Sequence, residues 1–500
     1  MLAKLRGVNA LDRVRLAGVL GVPVPSGVEG ARGVAYDSRR VEPGYAFVAV
    51  PGFKRDGVEF APEAARRGAS LVVAEREVEG MPTAVVPDAR AALAALACAM
   101  FGDPSRDMEV YGVTGTNGKT TTAYALYSIL AGAYGPAACG LMTTVETISA
   151  GERRPAVRTT PEAVEVQGSL AGMRDAGVRR VAMEVSSHGI ALRRVAGTEF
   201  SGALFTNLTR DHLDLHGTME EYYATKREIF RWVSPERPRL ANAEDAWGRR
   251  LAGEVAGVKT FGGTNGADYR VKEVRLSGRG TAFSLDGPVG ALDLETPLLG
   301  PYNVLNVAGA ASLALEAGVA GAAVEEAVRG MEQVPGRFER VAAREEHGFE
   351  VIVDYAHTDV GLEAVLGVAR GVAEARNGGE GGRVICVFGA AGERDGAKRP
   401  KMGRVAARLA DASVITTDDA YAEDPEKIAR EVAAGVREED REPEIVLDRR
   451  EAIRRALSVA RAGDVVVVAG KGHERVQHLP EGDAPFHDAT VVRELLLEFE

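Results

Sequence analysis

The densest chemistry in the sequence lies in Gly112-Val113-Thr114-Gly115-Thr116-Asn117-Gly118-Lys119-Thr120-Thr121-Thr122. An apolar stretch, 109–113, precedes this run and an Ala/Leu-rich segment, 123–130, follows it, so the region reads as strand, glycine-rich turn and helix. Glycines let backbone N–H groups turn inward onto a phosphate, and the helix N-terminus adds partial positive charge. Lys119 would then reach the terminal phosphates of a nucleoside triphosphate, and the Thr120 hydroxyl would ligate Mg²⁺. The strict phosphate-loop pattern has a glycine where Val113 stands, so this is a variant loop.

Two further strand ends add polar groups. Arg180-Val181-Ala182-Met183-Glu184-Val185-Ser186-Ser187-His188 closes an apolar strand on a carboxylate that can hold a metal bound to nucleotide phosphates. Thr206-Asn207-Leu208-Thr209-Arg210-Asp211-His212-Leu213-Asp214 likewise ends an apolar strand, and Lys226 follows on a helix. By residue type alone, an Asp-His pair is ordinary loop decoration and a helical lysine an ordinary solvated charge.

The elements that must position these groups fall into three blocks, 1–102, 103–336 and 337–500. Each alternates β-branched runs with amphipathic Ala/Leu-rich stretches, the pattern of α/β layering. The first carries strands near 34–37, 45–50, 70–74 and 83–86 and a helix over 58–68; 102–107 reads as a linker. The second ends in Ala-rich helices over 304–317 and 321–331. In the third, strands 384–388, 414–417, 445–447 and 464–469 alternate with helices 399–410, 425–436 and 450–460, predicting a doubly wound parallel sheet. The segments 437–441 and 377–382 read as solvated loops.

Five hundred residues, 45% hydrophobic and 27% charged, suit several cores in one globular chain. A net charge of -11 argues against a basic nucleic-acid-binding surface. Cys98, Cys139 and Cys386 show no metal-ligand spacing and sit in apolar stretches, as reduced core residues do. Charges interrupt residues 1–20, giving neither a signal segment nor a membrane span, so the expected location is the cytoplasm and membrane insertion is not expected.

Gly115-Thr116-Asn117-Gly118-Lys119-Thr120 resembles the nucleotide loop of the Mur ligases and their relatives, the folylpolyglutamate and cyanophycin synthetases, and the resemblance recurs in order along nearly the whole chain. It implies a small N-terminal α/β domain binding UDP-MurNAc, a central P-loop ATPase-type parallel sheet and a C-terminal Rossmann-like domain binding an amino acid. ATP and two Mg²⁺ ions are implied as well. Glu184 and His212 would be metal ligands, Ser186 would meet the peptide, and Lys226 would be carbamylated by CO₂. Carbamylation needs a neutral amine, whereas a free lysine titrates near about 10.4. Asn303 in Tyr302-Asn303-Val304-Leu305-Asn306, Arg337 near the third block and Asp354 in Asp354-Tyr355-Ala356-His357 would complete the ATP site, with Gly115 to Thr121 on the phosphates. The usual Thr-Pro-Asp continuation is Thr358-Asp359-Val360 here.

The first block resembles the branch of the family that adds the third peptide residue to a muramyl dipeptide, with Tyr36, Ser38, Phe53, Lys54 and Arg55 as nucleotide-sugar contacts. Thr159, Thr160 and Arg194 would meet the peptide, although Leu192 stands where many relatives are polar. Arg394, Gly470 and Glu474 would take the incoming amino acid beside the loop Asp419-Ala420-Tyr421-Ala422. Diaminopimelate enzymes carry Asp-Asn-Pro-Arg in that loop, the arginine pairing the distal carboxylate. No arginine stands in 419–422, and an unpaired buried carboxylate is costly, so the loop predicts L-lysine or L-ornithine over meso-diaminopimelate. The competing readings are the sister ligase adding D-Ala-D-Ala and a nucleotide-gated binding protein that has lost turnover. The expected partners are the muramyl dipeptide and a free amino acid, with the chain a monomer.

Overall fold

The computed structural model describes residues 9–53, 55–277, 280–342, 347–375 and 381–499. Contacts divide the chain into two compact units, one of residues 1–271, 285–292 and 306–327, the other of 272–284, 293–305 and 328–500.

Two larger sheets organise the first unit, beside a short antiparallel pair of Leu11–Asp12 with Gly30–Ala31. Strands β1 (Gly33–Ala35), β2 (Tyr45–Val48), β3 (Leu71–Ala74) and β4 (Thr83–Val85) lie parallel in chain order, followed by helix α1 (Ala89–Phe101). Asp88 caps α1 by accepting from the Ala91 N–H, which satisfies one orphan donor of the first turn. The larger sheet includes β5 (Glu109–Thr114), β6 (Cys139–Met142), β7 (Glu146–Ser149), β8 (Glu152–Pro155), β9 (Arg180–Glu184), β10 (Gly202–Phe205), β11 (Arg239–Asn242) and β12 (Lys259–Gly262). Their order is β8-β7-β6-β9-β5-β10-β11-β12, with β7 antiparallel to both β6 and β8 and the other pairs parallel. Helices α2 (Lys119–Tyr134), α3 (Ala163–Asp175) and α4 (Met219–Trp232) connect them. Ala163 and Ala171 of α3 share one core with Leu93, Leu96 and Met100 of α1. Within the segment 102–107, which reads as a linker, Pro104–Asp107 form a 3₁₀ turn in which Pro104 and Ser105 are buried.

The second unit is wound around β13 (Glu339–Ala342), β14 (Glu350–Asp354), β15 (Val384–Phe388), β16 (Ala412–Ile415), β17 (Glu444–Ile445) and β18 (Val465–Ala469), in the order β13-β14-β18-β15-β16-β17. Only β13 is antiparallel. Helices α5 (Lys398–Leu409), α6 (Pro425–Arg437) and α7 (Arg449–Val459) alternate with the strands. The strands read as continuous Val/Ile runs because both faces are covered. Ile352, Cys386, Phe388 and Val467 enter one core, while their neighbours Val351, Val353, Ile385, Val387 and Val466 enter the other.

Helix α2 begins at Lys119, four residues before the expected start. Thr120, Thr121 and Thr122 are β-branched and look unhelical, yet all three are buried under the glycine loop, and packing overrides propensity. The 146–155 hairpin, strands β11 and β12 and the helices Arg13–Leu20, Asp359–Ala375 and Asp488–Phe499 had no counterpart in the sequence reading. All three cysteines are buried free thiols, and burial pushes Cys139 up to about 11. Among the described residues no helix is long and apolar enough to cross a membrane.

Candidate active site

Parallel strands deliver their carboxyl ends to one edge of a sheet, where loops are free to bind. In the first unit β5 ends at Thr114, β9 at Glu184 and β10 at Phe205, so the three sequence motifs emerge together. The 206–209 segment props the glycine loop. The Thr116 N–H donates to the Asn207 main-chain oxygen at 2.9 Å, the Asn117 N–H to Asn207 Oδ1 at 3.0 Å, and Thr206 Oγ1 to the Asn117 oxygen at 2.6 Å. Gly118 has φ of 81°, and a Cβ there would overlap Asn306 Oδ1, so only glycine fits at the turn into α2. Gly115 accepts from Lys226 and Thr121 is buried in the first turn of α2.

Thr120 Oγ1 donates to Glu184 Oε2 at 3.0 Å, and the Thr144 N–H reaches the same oxygen at 3.2 Å. Lys119 Nζ stands 3.9 Å from the other Glu184 oxygen and donates to the Thr116 oxygen at 2.8 Å. A hydroxyl and a buried carboxylate are hard oxygen donors that suit Mg²⁺, whose remaining positions phosphate oxygens and water ordinarily fill. Among the described residues no three His, Cys, Asp or Glu side chains form a metal cage of their own.

Lys226 is the unusual member. On α4, Tyr222, Tyr223, Ile229 and Phe230 are buried on the face that also carries Lys226, whose side chain is inaccessible to solvent. Thr218 caps the helix by accepting from the Glu221 N–H. Lys226 Nζ donates to the Gly115 oxygen at 2.7 Å and lies 4.7 Å from the Tyr222 ring centre. Burial, with Lys119 nearby, holds its ammonium well below the ordinary lysine range, against the pull of Asp211 and Glu184. By residue type this lysine read as a solvated charge, and it is packing on the face of Tyr222, Tyr223, Ile229 and Phe230 that buries it. His212 has φ of 52° and is half-exposed, its ring 4.8 Å from that of His188. Desolvation among its neighbours holds it down to about 4, against Asp211, so the imidazole is neutral with a lone pair to offer.

Beside Glu184 lies the expected peptide set. Ser186 Oγ donates to Thr160 Oγ1 at 3.0 Å, Thr159 Oγ1 to Thr144 Oγ1 at 3.0 Å, and Arg194 Nη1 to the Thr160 oxygen at 3.1 Å. Arg194 also pairs with Glu162 at 2.7 Å, a partner that sequence reading passed over. Nearer the first sheet, Tyr36 donates to Glu165 at 3.0 Å and Ser38 to Glu63 at 2.7 Å. Phe53 is 78% exposed and Arg55 pairs with Glu59, whereas Lys54 lies outside the described residues. The structure therefore does not gather Phe53 and Arg55 around the groups at Tyr36 and Ser38 by any bond among the described residues.

The second unit holds the other expected groups. Asn303 Nδ2 donates to the Leu299 oxygen at 2.8 Å. Arg337 lies over the Tyr355 ring at 4.4 Å, and Asp354 accepts from the Phe338 and Ala356 N–H groups. Burial raises the Asp354 carboxyl above its usual range, against Arg337. At the ends of β15, β16 and β18, Arg394 stands 5.5 Å from the Tyr421 ring centre, and Tyr421 stacks on His478 at 5.2 Å. Gly470 donates to the Asp354 oxygen at 3.0 Å, and the Ala422 N–H to Glu393 Oε1 at 3.3 Å. Ala420 is fully buried.

Lys471 was missed as a site residue, although it stands two residues past the apolar end of β18. It is fully buried and donates to Asp419 at 2.8 Å and to Glu474 at 2.9 Å. Burial works against its charge, but Asp418, Glu474 and Asp419 together hold its titration above the usual lysine range. One oxygen of buried Asp418 makes no hydrogen bond among the described residues, and Arg449 forms a buried pair with Asp488. Tyr355 donates to Glu474 at 3.3 Å.

Comparison with known families assigns most of the chain. The Mur ligase family catalytic domain matches residues 31–100, the Mur ligase middle domain 113–314, and the Mur ligase glutamate ligase domain 336–472. A UDP-N-acetylmuramoyl-L-alanyl-D-glutamate–2,6-diaminopimelate ligase of Solibacter usitatus is 43% identical, covering 93% of each chain. One of the same name from Streptomyces coelicolor is 40% identical over 98% of this chain and 97% of its own. A solved structure of a ligase of that name superimposes with a TM-score of 0.67 at 28% identity, over 98% of this chain and 99% of that one. MurF of Thermotoga maritima in complex with ADP, 20% identical with a TM-score of 0.62 over 93% and 97% of the chains, shares the fold. The expectation of lysine or ornithine finds no support among these relatives, which are named for diaminopimelate. No arginine stands inside 419–422, but folding brings Arg394 to that loop from elsewhere.

Proposed function

Because the chain belongs to the Mur ligase family, and is as such an ATP-dependent ligase forming carbon–nitrogen bonds, we propose that it adds 2,6-diaminopimelate to the D-glutamyl carboxylate of UDP-N-acetylmuramoyl-L-alanyl-D-glutamate. The observation that carries the reading is the Lys119, Thr120 and Glu184 cluster at the mouth of the glycine loop, with Thr160, Ser186 and Arg194 beside it. A carboxylate does not react with an amine at neutral pH, because it repels nucleophiles and has no adequate leaving group. A D-glutamyl oxygen therefore attacks the terminal phosphorus of ATP, giving an acyl phosphate and ADP. The α-amine of the incoming residue then attacks the acyl carbon, loses a proton and expels phosphate, leaving an amide.

Catalysis of such a transfer is mainly alignment and neutralisation of charge. Lys119 supplies a cation at the terminal phosphates, and Arg194 orients the peptide. Mg²⁺ held by Thr120 and Glu184, with a second ion at His212 and carbamylated Lys226, would offset phosphate charge during transfer. Carbamylation joins the neutral Lys226 nitrogen to the carbon of CO₂ with loss of a proton, and the burial that disfavours the ammonium supports it. In the second unit, Asn303, Arg337 and Asp354 serve the nucleoside. Glu474 and Asp419 receive an ammonium of the amino acid, and Arg394 its carboxylate.

The test is phosphate release from purified enzyme with ATP, the muramyl dipeptide and, in turn, meso-diaminopimelate, L-lysine and L-ornithine. Release that needs both dipeptide and diaminopimelate supports the proposal. A strong preference for lysine or ornithine overturns the choice of amino acid, and release indifferent to the dipeptide overturns the ligase reading of the site.

A further inference from the structure

Two loops at the carboxyl edge of the second sheet, 389–395 and 418–424, are fastened together more firmly than loop neighbours require. Arg399, buried in the first turn of α5, donates from Nη2 to Glu423 at 2.9 Å and to the Ala391 oxygen at 3.3 Å. The second Glu423 oxygen accepts from the Glu393 N–H at 2.6 Å. Gly392 donates to the Asp419 oxygen at 2.7 Å, and a Cβ at Gly392 would overlap the Ala420 oxygen. Each loop also holds one non-glycine residue in the left-handed region, Glu393 at φ 51° and Tyr421 at φ 50°. Such conformations persist only where surroundings over-determine them. The outcome is the placing of Arg394 beside the Tyr421 ring.

We propose that Arg399 and Glu423 are positioning residues, a clamp that fixes the spacing of Arg394 and Tyr421 and so sets the affinity for the incoming amino acid. The inference rests on the reading above that these loops receive that substrate. Arg399 has a second arm, Nη1 to Glu431 at 2.7 Å, which ties α5 to α6 and does not reach either loop. The two arms separate positioning from mere stability. Glu423→Gln weakens the arm to the loops, Glu431→Gln the arm to the helix.

Steady-state kinetics on the full chain, varying each substrate in turn, decide the matter. Glu423→Gln is expected to raise KM for the amino acid roughly tenfold or more, with KM for ATP and muramyl dipeptide within about twofold. Glu431→Gln is expected to lower Tm and leave all three KM values near wild type. Arg399→Met should match or exceed Glu423→Gln, and Arg399→Lys, which keeps the charge but loses the fork, should recover part of the loss. An unchanged amino-acid KM in Glu423→Gln, or equal effects from the two glutamine variants, overturns the clamp. If Arg399→Met is insoluble, Glu423→Gln, whose acid is partly exposed, decides alone. Failure of the underlying reading shows separately, as wild-type enzyme whose phosphate release ignores the amino acid, and it takes the clamp with it.

Discussion

Lys226 Nζ donates to the main-chain oxygen of Gly115 at 2.7 Å, joining the middle of α4 to the first glycine of the phosphate loop. A solvent-inaccessible lysine held near another lysine is an expensive arrangement for a surface-type residue, and the proposed carbamate draws on the burial that disfavours its ammonium. Lys226→Ala is expected to retain fold and Tm while losing activity by about 100-fold or more. Millimolar acetate or bicarbonate should restore part of it by supplying the missing anion. Lys226→Arg should not be rescued by its own charge, because a guanidinium does not take up CO₂. Full activity in Lys226→Ala would end the carbamate proposal.

Gly118→Ala combines a left-handed φ with overlap on Asn306. The strain is worth about 1–3 kcal/mol, and relieving it must displace the loop. We expect a Tm lowered by several degrees and an ADP affinity, measured by calorimetry, reduced at least tenfold. Wild-type affinity would show that the loop adjusts without cost to the nucleotide.

Lys471→Met removes the buried cation between Asp419 and Glu474. Leaving buried carboxylates unpaired costs about 3–5 kcal/mol. Chemical denaturation should show a loss on that scale at pH 7, with the amino-acid KM raised. The double variant Lys471→Met with Glu474→Gln should regain part of the stability, and no regain would mean that Glu474 is not a partner in the pair.

Asp464 predicts a pH dependence. Burial works against its ionisation, but hydrogen bonds from Arg383 prevail, and its carboxyl sits below the usual range. A group depressed in the folded chain stabilises at pH above its unfolded value, about 3.9, and that contribution fades as pH falls through the folded one. The Tm difference between wild type and Asp464→Asn should thus be widest at pH 6–8 and narrow below about pH 4. A gap that stays constant down to pH 3 would contradict the assignment.

Legibility in sequence followed physical kind. Strand–loop–helix around Lys119 was readable because phosphate binding imposes glycines and a strand end within a few residues. The alternating blocks of the second unit were readable because strands buried on both faces are uniformly apolar, as Val465–Ala469 is. The hairpin 146–155 was not, since Glu152-Arg153-Arg154-Pro155 is polar and exposed, and strand pairing and the Arg153–Glu146 ion pair hold it. The amino-acid end was least readable. Lys471, Arg399 and Glu423 acquire their roles from contacts between segments 24 to 52 residues apart, which no local pattern encodes.

The main chains at Gly392 and Ala420 approach so closely that not even a methyl group fits between them. The walls there are made of peptide, and peptide geometry does not vary with the genetic code. On the proposed reading of these loops, drift in which amino acid is accepted is written in the side chains that stand off those walls, Arg394 and Tyr421 first among them. Chains of this family that differ in diet should differ at those positions while keeping the same small residue at 392.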